Sequence, residues 1–140
     1  ITIPSKDIKF EYRNNDLSDD FIFLSASFRG KKSDYAKIKN EMHKLKKEKE
    51  INQPTKIKTS GSTFKNPISQ TEKKVWKLIK ESVPLDMSFG DAYISEKHCN
   101  FFVNKGNATY EDMSKLIDFV SKKVSEKTGI NLENEIKILE

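Results

Sequence analysis

The chain has 140 residues, of which 35% are hydrophobic, and a formal net charge of +5. This length supports one modest hydrophobic core and excludes two large domains. No window approaches the ~18 consecutive apolar residues of a membrane span. The single cysteine, Cys99, excludes an internal disulfide framework and is typical of a reducing compartment, so we expect a cytoplasmic protein.

The first predicted elements are a strand and a long basic helix. Residues 19–28, DDFIFLSASF, are rich in Phe and alternate enough to predict a half-buried strand. A helix is predicted from about Ser33, because apolar residues recur at helical spacing and place most lysines on the opposite face. These apolar residues are Tyr35, Ile38, Met42 and Leu45. Residues 53–63 contain proline, serine and glycine breaks and are predicted to be a linker and loop.

Helices and short strands follow without strict alternation. Ser69 and Glu72 form a capping-box pattern before an apolar stripe, which predicts a second helix that Pro84 ends. The segments AYIS and NFFVN predict strands. A third helix is predicted from about Thr109 to a stop at Gly129, and the final EIKIL predicts a last strand. We therefore expect an α+β fold.

The positive charge is concentrated in one segment. Residues 31–58 hold ten lysines and four acidic residues, a local charge of +6, which leaves −1 for the rest of the chain. A solvated helix face explains this pattern, because lysine-rich helices are common on soluble proteins. A nucleic-acid-binding surface is the alternative, although the segment lacks the interleaved aromatic residues that base stacking requires.

Polar clusters outside the apolar stripes lie at Tyr12-Arg13, residues 60–66, residues 95–100 and residues 133–135. Each has a structural explanation as a surface pair, a self-capping loop or the wet edge of a strand. A serine beside a glycine can also expose its hydroxyl to a ligand, while Lys65 and Asn66 offer a cation and an amide to a phosphate. A zinc site needs more ligands than two histidines and one cysteine readily supply, so we predict no metal.

In chain order, the segments FEYR, NQP, SGSTFKNP, GDAYISEKHCNFFVNKGNAT and LENEIKIL resemble the C-terminal portion of the UDP-N-acetylenolpyruvoylglucosamine reductase family. The resemblance runs from about Phe10 to Leu139, and GSTFKNP and HCNFFVN are its most specific parts. These flavoenzymes make UDP-N-acetylmuramate for bacterial peptidoglycan. The 48 residues between Arg13 and Ser62 are similar to the spacing in compact members that lack a substrate-capping insertion.

The resemblance implies a substrate-binding domain at residues 55–140, with a small mixed or antiparallel sheet and about three helices, preceded at residues 1–50 by the tail of a flavin-binding domain. It implies an NADPH-dependent FAD oxidoreductase that reduces UDP-N-acetylglucosamine enolpyruvate, with no nucleic-acid or membrane partner. The family's glycine-rich flavin loop is not in this sequence, so we expect FAD to be held mostly by a flavin-binding domain and the chain alone to be inactive. The alternative is a basic nucleic-acid-binding or partner-docking module without catalysis.

The resemblance also implies roles for individual residues. Ser62 matches the proton donor of the family, while Arg13 and Glu135 match groups at the substrate carboxylate. A serine hydroxyl is a weak acid, so this use requires a nearby cation or a hydrogen-bond relay. The predicted substrate-binding residues are Tyr12, Lys49, Lys65, Asn66, His98 and Asn100.

Overall fold

The structure, a computed structural model, describes residues 1–139 and divides into two units, Ile1–Ile38 and Lys39–Glu140. Glu140, the last residue of the predicted second domain, lies outside the described residues. The helices are Ser5–Asp7 (one 3₁₀ turn), Tyr35–Asn52 (α1), Val75–Ser82 (α2) and Tyr110–Thr128 (α3). The strands are Phe10–Glu11 (β1), Asn14–Asn15 (β2), Lys58–Ser62 (β3), Ser88–Phe89 (β4), Ala92–Ile94 (β5) and Phe101–Asn104 (β6). This composition confirms the α+β class.

The first unit contains one hairpin, in which β1 and β2 pair antiparallel around a two-residue loop. The predicted strand at residues 19–28 was wrong, because residues 21–34 have no regular structure. A strand requires a partner for its backbone hydrogen bonds, and among the described residues this segment has none in a sheet. Its apolar side chains are exposed, with Ile22 at 84%, Leu24 at 91% and Phe28 at 92%.

The lysine-rich helix forms as predicted, beginning at Tyr35 rather than Ser33. Asp34 caps its start, since the Asp34 Oδ1 atom accepts a hydrogen bond of 3.1 Å from the backbone N–H of Lys37. Every residue of α1 is exposed, including the predicted apolar stripe. The helical spacing of the apolar residues therefore predicted the helix correctly. Among the described residues, none packs against α1 closely enough to bury its apolar or its basic face.

The second unit is built on a four-stranded antiparallel sheet with the order β3-β6-β5-β4. Helices α2 and α3 contact each other, and α3 contacts β4 and β5. Their buried side chains form one core with those of the sheet, comprising Phe64, Val75, Leu78, Ile79, Val83, Ala92, Ile94, Cys99, Phe102, Leu116, Ile117, Val120 and Val124. Each fully buried Leu, Ile or Phe of this kind stabilises the fold by about 1.5–3 kcal/mol relative to exposure.

The predicted linker at residues 53–63 was wrong in its second half, because residues 58–62 form β3, an edge strand of this sheet. Lys58 and Thr59 pair with Asn104 and Val103 of β6, and the register then shifts before Ser62. Gly61 lies in this bulge at φ +91°, a left-handed conformation that favours glycine. The Ser-Gly-Ser run therefore resembles a loop in sequence while remaining part of a strand.

The two helices of the second unit begin differently. α3 starts with a capping box, in which the Thr109 hydroxyl accepts from the N–H of Asp112 at 3.1 Å and the Asp112 carboxylate accepts from the N–H of Thr109 at 3.0 Å. Gly129, at φ +72°, ends it as predicted. The predicted Ser69–Glu72 capping box of α2 was wrong, since α2 begins only at Val75 and its N-cap residue, Lys74, makes no side-chain cap.

The predicted final strand, EIKIL, was also wrong. The C-terminal segment makes one isolated antiparallel bridge, between Asn134 and Phe64. Continuing that ladder toward the C-terminus would bring Lys137 opposite Gly61, inside the bulge of β3. The bulge disrupts the regular spacing of backbone donors and acceptors, so the pairing stops after one bridge.

Candidate active site

Ser62 lies at the end of β3, immediately after the bulge, and is half-buried opposite Phe101 of β6. The bulge is held by Thr59, whose hydroxyl donates to the Phe102 carbonyl at 2.7 Å and accepts from the Gly61 N–H at 3.2 Å. Sequence reasoning missed Thr59, although a threonine two residues before a glycine is a familiar turn signal. The bulge turns the chain so that Ser62 leads into the loop of residues 63–66.

The two residues after Ser62 are buried and hydrogen-bonded to Asn100. The Thr63 N–H donates to the Asn100 carbonyl at 2.8 Å, and the Asn100 side chain bonds both backbone groups of Phe64. Phe64 is 1% exposed, and its ring meets Phe102 edge-on at 5.9 Å between centroids. The loop is therefore anchored in the core directly beside Ser62.

Glu135 lies next to this loop through its backbone. Its N–H donates to the Thr63 carbonyl at 2.8 Å, and the Lys65 N–H donates to the Glu133 carbonyl at 2.8 Å. These bonds flank the bridge between Phe64 and Asn134. Thr63 directly follows Ser62, so the backbone of Glu135 lies beside the segment that carries Ser62. The structure therefore brings together the segments of two sequence-predicted residues, Ser62 and Glu135.

Lys65 and Asn66 make local contacts in the loop. The Lys65 ammonium forms an ion pair with the Glu133 carboxylate, a partner that sequence reasoning did not assign. The Asn66 Oδ1 atom accepts from the N–H of Val75 at 3.0 Å, which satisfies an orphan donor in the first turn of α2. Asn66 thus replaces the cap predicted at Ser69, from further away in sequence than a capping box allows.

His98 lies in the turn between β5 and β6. Its Nδ1 atom accepts from the N–H of Asn100 at 3.3 Å, and its ring meets Phe101 edge-on at 4.8 Å between centroids. An Nδ1 acceptor leaves the proton of a neutral imidazole on Nε2. Burial lowers the pKa of His98 below its ordinary value of 6.5, partly offset by a backbone hydrogen bond. His98 is therefore a neutral donor at neutral pH.

The depressed pKa of His98 predicts a pH dependence of stability. The unfolded chain binds more protons than the folded chain between the folded pKa and about 6.5, so the free energy of unfolding should fall as pH drops through this window. We expect His98→Asn, which keeps an acceptor near the Nδ1 position, to flatten this dependence in urea unfolding at pH 5 to 8. Flattening by His43→Asn, at the exposed histidine of α1, with none by His98→Asn would contradict the assignment.

Cys99 follows His98 and is structural in this setting. It is 6% exposed, its thiol donates to the Trp76 carbonyl at 2.9 Å, and burial raises the pKa of that thiol. A buried thiol with a raised pKa is a poor nucleophile and metal ligand. Among residues 1–139, His, Cys, Asp and Glu side chains form no group of three placed to hold a metal ion.

The remaining predicted residues lie elsewhere on the chain. Lys49 is exposed in the last turns of α1, and the neighbouring Glu50 carbonyl accepts from the Lys97 ammonium at 2.9 Å, which links α1 to the turn that carries His98. Tyr12 and Arg13 belong to the first unit, where they form the hairpin loop.

Arg13 has an unusual backbone conformation. Its φ of 58° is left-handed, which costs a non-glycine residue roughly 1–2 kcal/mol. Its guanidinium lies 5.6 Å from the centroid of the Tyr12 ring, within the range of a cation–π contact. Strained residues of this kind cluster at functional sites, so the conformation is compatible with the role implied for Arg13.

A surface groove of about 500 Å³ lies away from these residues, along the N-terminal half of α3. It is lined by Tyr110, Glu111, Ser114, Lys115, Ile117, Asp118 and Ile138. Its lining includes none of the predicted catalytic or substrate-binding residues. Within the described chain, no helix combines the length and apolar character needed to cross a lipid bilayer.

The second unit is an α+β domain whose edge strand, β3, ends at Ser62 and continues into the loop of residues 63–66. The sequence profile of the C-terminal domain of UDP-N-acetylenolpyruvoylglucosamine reductase matches residues 53–139. The chain belongs to this family, which confirms the resemblance predicted from the sequence.

Individual relatives agree with this assignment. The chain is 68% identical to the UDP-N-acetylenolpyruvoylglucosamine reductase of Pelagibacter ubique over 99% of its own length and 46% of that protein. It is 42% identical to the same reductase of Rickettsia typhi, covering 98% of the chain and 45% of that protein. A crystal structure of the reductase from Thermus caldophilus superposes with a TM-score of 0.73 at 29% identity, covering 94% of this chain and 46% of that one. The chain thus spans less than half the length of these relatives.

Proposed function

We propose that this chain supplies the substrate-binding and proton-donating half of an enzyme that reduces UDP-N-acetylglucosamine enolpyruvate to UDP-N-acetylmuramate in peptidoglycan synthesis. The supporting observation is the junction of two family motifs, where the Glu135 N–H bonds the Thr63 carbonyl beside Ser62. In the proposed site, Ser62 gives the proton and Glu135 faces the substrate carboxylate together with Arg13. We assign residues 1–50 to the tail of a flavin-binding domain and residues 55–140 to the substrate-binding domain.

The reaction requires two kinds of help from the chain. Reduction of the enolpyruvyl double bond builds negative charge on the carbon next to the substrate carboxylate, and that carbon must then receive a proton. The Ser62 hydroxyl is the proposed donor, and Arg13 is the proposed cation that stabilises the developing charge. A positioned proton donor accelerates such a step by about 10²–10⁴-fold.

The other polar residues suit the nucleotide part of the substrate. We propose that the ammonium of Lys65, the amide of Asn66 and the Nε2–H of His98 face its diphosphate. Lys49 is proposed as a further cation for the substrate. It lies on the last turns of α1, next to Glu50, whose carbonyl accepts from the Lys97 ammonium. Glu133 holds the Lys65 ammonium at the loop through its ion pair, which limits the freedom of a long side chain before substrate arrives.

The residues described here do not fit a flavin site. The sequence has five glycines, none closer than 16 residues to the next, so it contains no glycine-rich phosphate loop. No side chain of residues 1–38 is buried, so this unit offers no enclosed apolar wall for an isoalloxazine ring. We therefore propose that FAD is held mostly by a flavin-binding domain of which this chain contains only the tail. FAD reduced by NADPH would supply the hydride from the part of the protein that binds it.

A chimera tests the proposal. This chain replaces the matching 46% of the Pelagibacter ubique reductase, which contributes the rest of the protein. We expect this reductase chimera to bind flavin, to oxidise NADPH and to convert UDP-N-acetylglucosamine enolpyruvate at a rate comparable with the parent. A folded, flavin-loaded chimera that NADPH reduces but that leaves the enolpyruvate unchanged would contradict the proposal, and the parent protein serves as the positive control.

The nucleic-acid alternative has weaker support. The lysines of α1 are exposed, as a phosphate-binding surface requires. The helix also carries Glu41, Glu48 and Glu50, and its single aromatic residue is Tyr35 at the first position. Acidic residues among the lysines oppose phosphate binding, and a single aromatic gives no platform for stacked bases.

A further inference from the structure

The side chain of Asn100 is committed to one backbone unit close to Ser62. Its Oδ1 atom accepts from the Phe64 N–H at 3.0 Å, and its Nδ2 atom donates to the Phe64 carbonyl at 2.9 Å. An asparagine that bonds both backbone groups of one residue acts as a substitute strand partner for that residue. Asn100 is 3% exposed, so its amide presents almost no surface to a substrate.

The backbone of Asn100 extends the same clamp. Its carbonyl accepts from the Thr63 N–H at 2.8 Å, and its own N–H donates to the His98 Nδ1 atom at 3.3 Å. One residue therefore holds Thr63 and Phe64, the two residues that follow Ser62, and is itself held by the turn before β6.

The other side of Ser62 is held by the bulge. The Thr59 hydroxyl accepts from the N–H of Gly61 at 3.2 Å, and Ser62 itself lies opposite Phe101 of β6. The Asn100 clamp supplies the matching restraint on the Thr63 side. A hydroxyl that must reach one carbon atom loses much of its efficiency when misplaced by about 1 Å.

We infer that Asn100 is a positioning residue, which fixes the backbone that presents the Ser62 hydroxyl, rather than a residue that contacts substrate. This inference rests on the proposed function for the role of Ser62. The contact between the Asn100 side chain and the Phe64 backbone can be tested without that function, because hydrogen exchange at the Phe64 amide reports on it directly.

The test uses Asn100→Leu in the reductase chimera. Leucine keeps the branched shape and removes both side-chain hydrogen bonds, so we expect amide hydrogen exchange at Phe64 to accelerate by more than about tenfold. Exchange at Thr63 should stay within about twofold, since its acceptor is the backbone carbonyl of residue 100. We expect kcat for substrate reduction to fall roughly 10–100-fold, with KM and the reduction of flavin by NADPH little changed.

A second variant guards against misfolding. Asn100→Ala leaves space in which water can reach the Phe64 backbone, so it should fold where the leucine variant does not and show the same selective exchange at Phe64.

Asn104→Leu is the matched control, because the Asn104 Oδ1 atom makes a similar clamp at the other end of β6, to the Gly106 N–H at 2.9 Å and the Ala108 N–H at 3.1 Å. We expect that control to accelerate exchange at Gly106 and leave kcat unchanged.

The outcomes separate the two proposals. Equal acceleration at Thr63 and Phe64, a similar loss of kcat in Asn104→Leu, or an unchanged kcat in an active chimera carrying Asn100→Ala would each overturn the positioning role. A chimera that binds flavin and is inactive with asparagine at position 100, but shows selective exchange at Phe64 in the variants, would overturn the proposed function and support the clamp.

Discussion

Replacing Ser62 by alanine in the reductase chimera should slow substrate reduction by roughly 10²–10⁴-fold, the usual contribution of a positioned general acid. The reduction of flavin by NADPH should remain nearly unchanged, because that half-reaction needs no proton from this loop. Stopped-flow absorbance of the flavin separates the two steps, with NADPH alone in the first mixing and enolpyruvate in the second.

Two further variants sharpen the Ser62 result. Ser60→Ala lies two residues earlier in the same strand on an exposed position, so it should leave both half-reactions intact. Ser62→Cys keeps a proton donor at the same atom position and should retain part of the activity lost in Ser62→Ala. An equal loss in both half-reactions of Ser62→Ala would refute the proton-donor role and indicate a general disturbance of the fold.

Glu135→Gln should lower kcat for substrate reduction by roughly 10²-fold, a typical cost of removing one charged or polar group at a transition state. Glutamine keeps the size of glutamate and a polar group at the substrate carboxylate, but it cannot exchange a proton there. The bond from residue 135 to Thr63 should survive the substitution, because it uses the backbone N–H.

The Glu135 measurement pairs steady-state kinetics of the chimera with urea unfolding. Glu126→Gln, at an exposed glutamate of α3 that pairs with Lys123, is the control for loss of one negative charge and should leave kcat unchanged. If Glu135→Gln retains wild-type kcat while raising KM, the carboxylate serves binding only, and the proposed role in the chemical step is wrong.

The elements that the sequence predicted correctly carry their signals locally. α3 has its capping box, apolar stripe and glycine stop within one continuous segment, so its ends and its buried face follow from neighbouring residues. β3 was missed because Ser-Gly-Ser is typical of a loop, and only its pairing with the distant β6 makes it a strand. The segment at residues 19–28 failed for the converse reason, since strand-forming side chains without a partner do not produce a strand.

The residues of the candidate site were also predictable only in part. Ser62, Arg13 and Glu135 were predicted from the family resemblance, and no single motif among them has enough local character to indicate a reaction. The clamp by Asn100 could not be predicted, because it joins residues 36 positions apart through a side chain whose burial is set by the whole sheet. The replacement of the Ser69 cap by Asn66 likewise depends on how the loop folds back onto α2.

The exposed segment FIFLSASF, residues 21–28, has a composition that favours self-association. It has no charge and no proline, and Phe23 and Leu24 are 69% and 91% exposed. Short uncharged segments of this kind stack into intermolecular β-structure when nothing shields them. We therefore expect self-association through this segment to increase with the concentration of the chain.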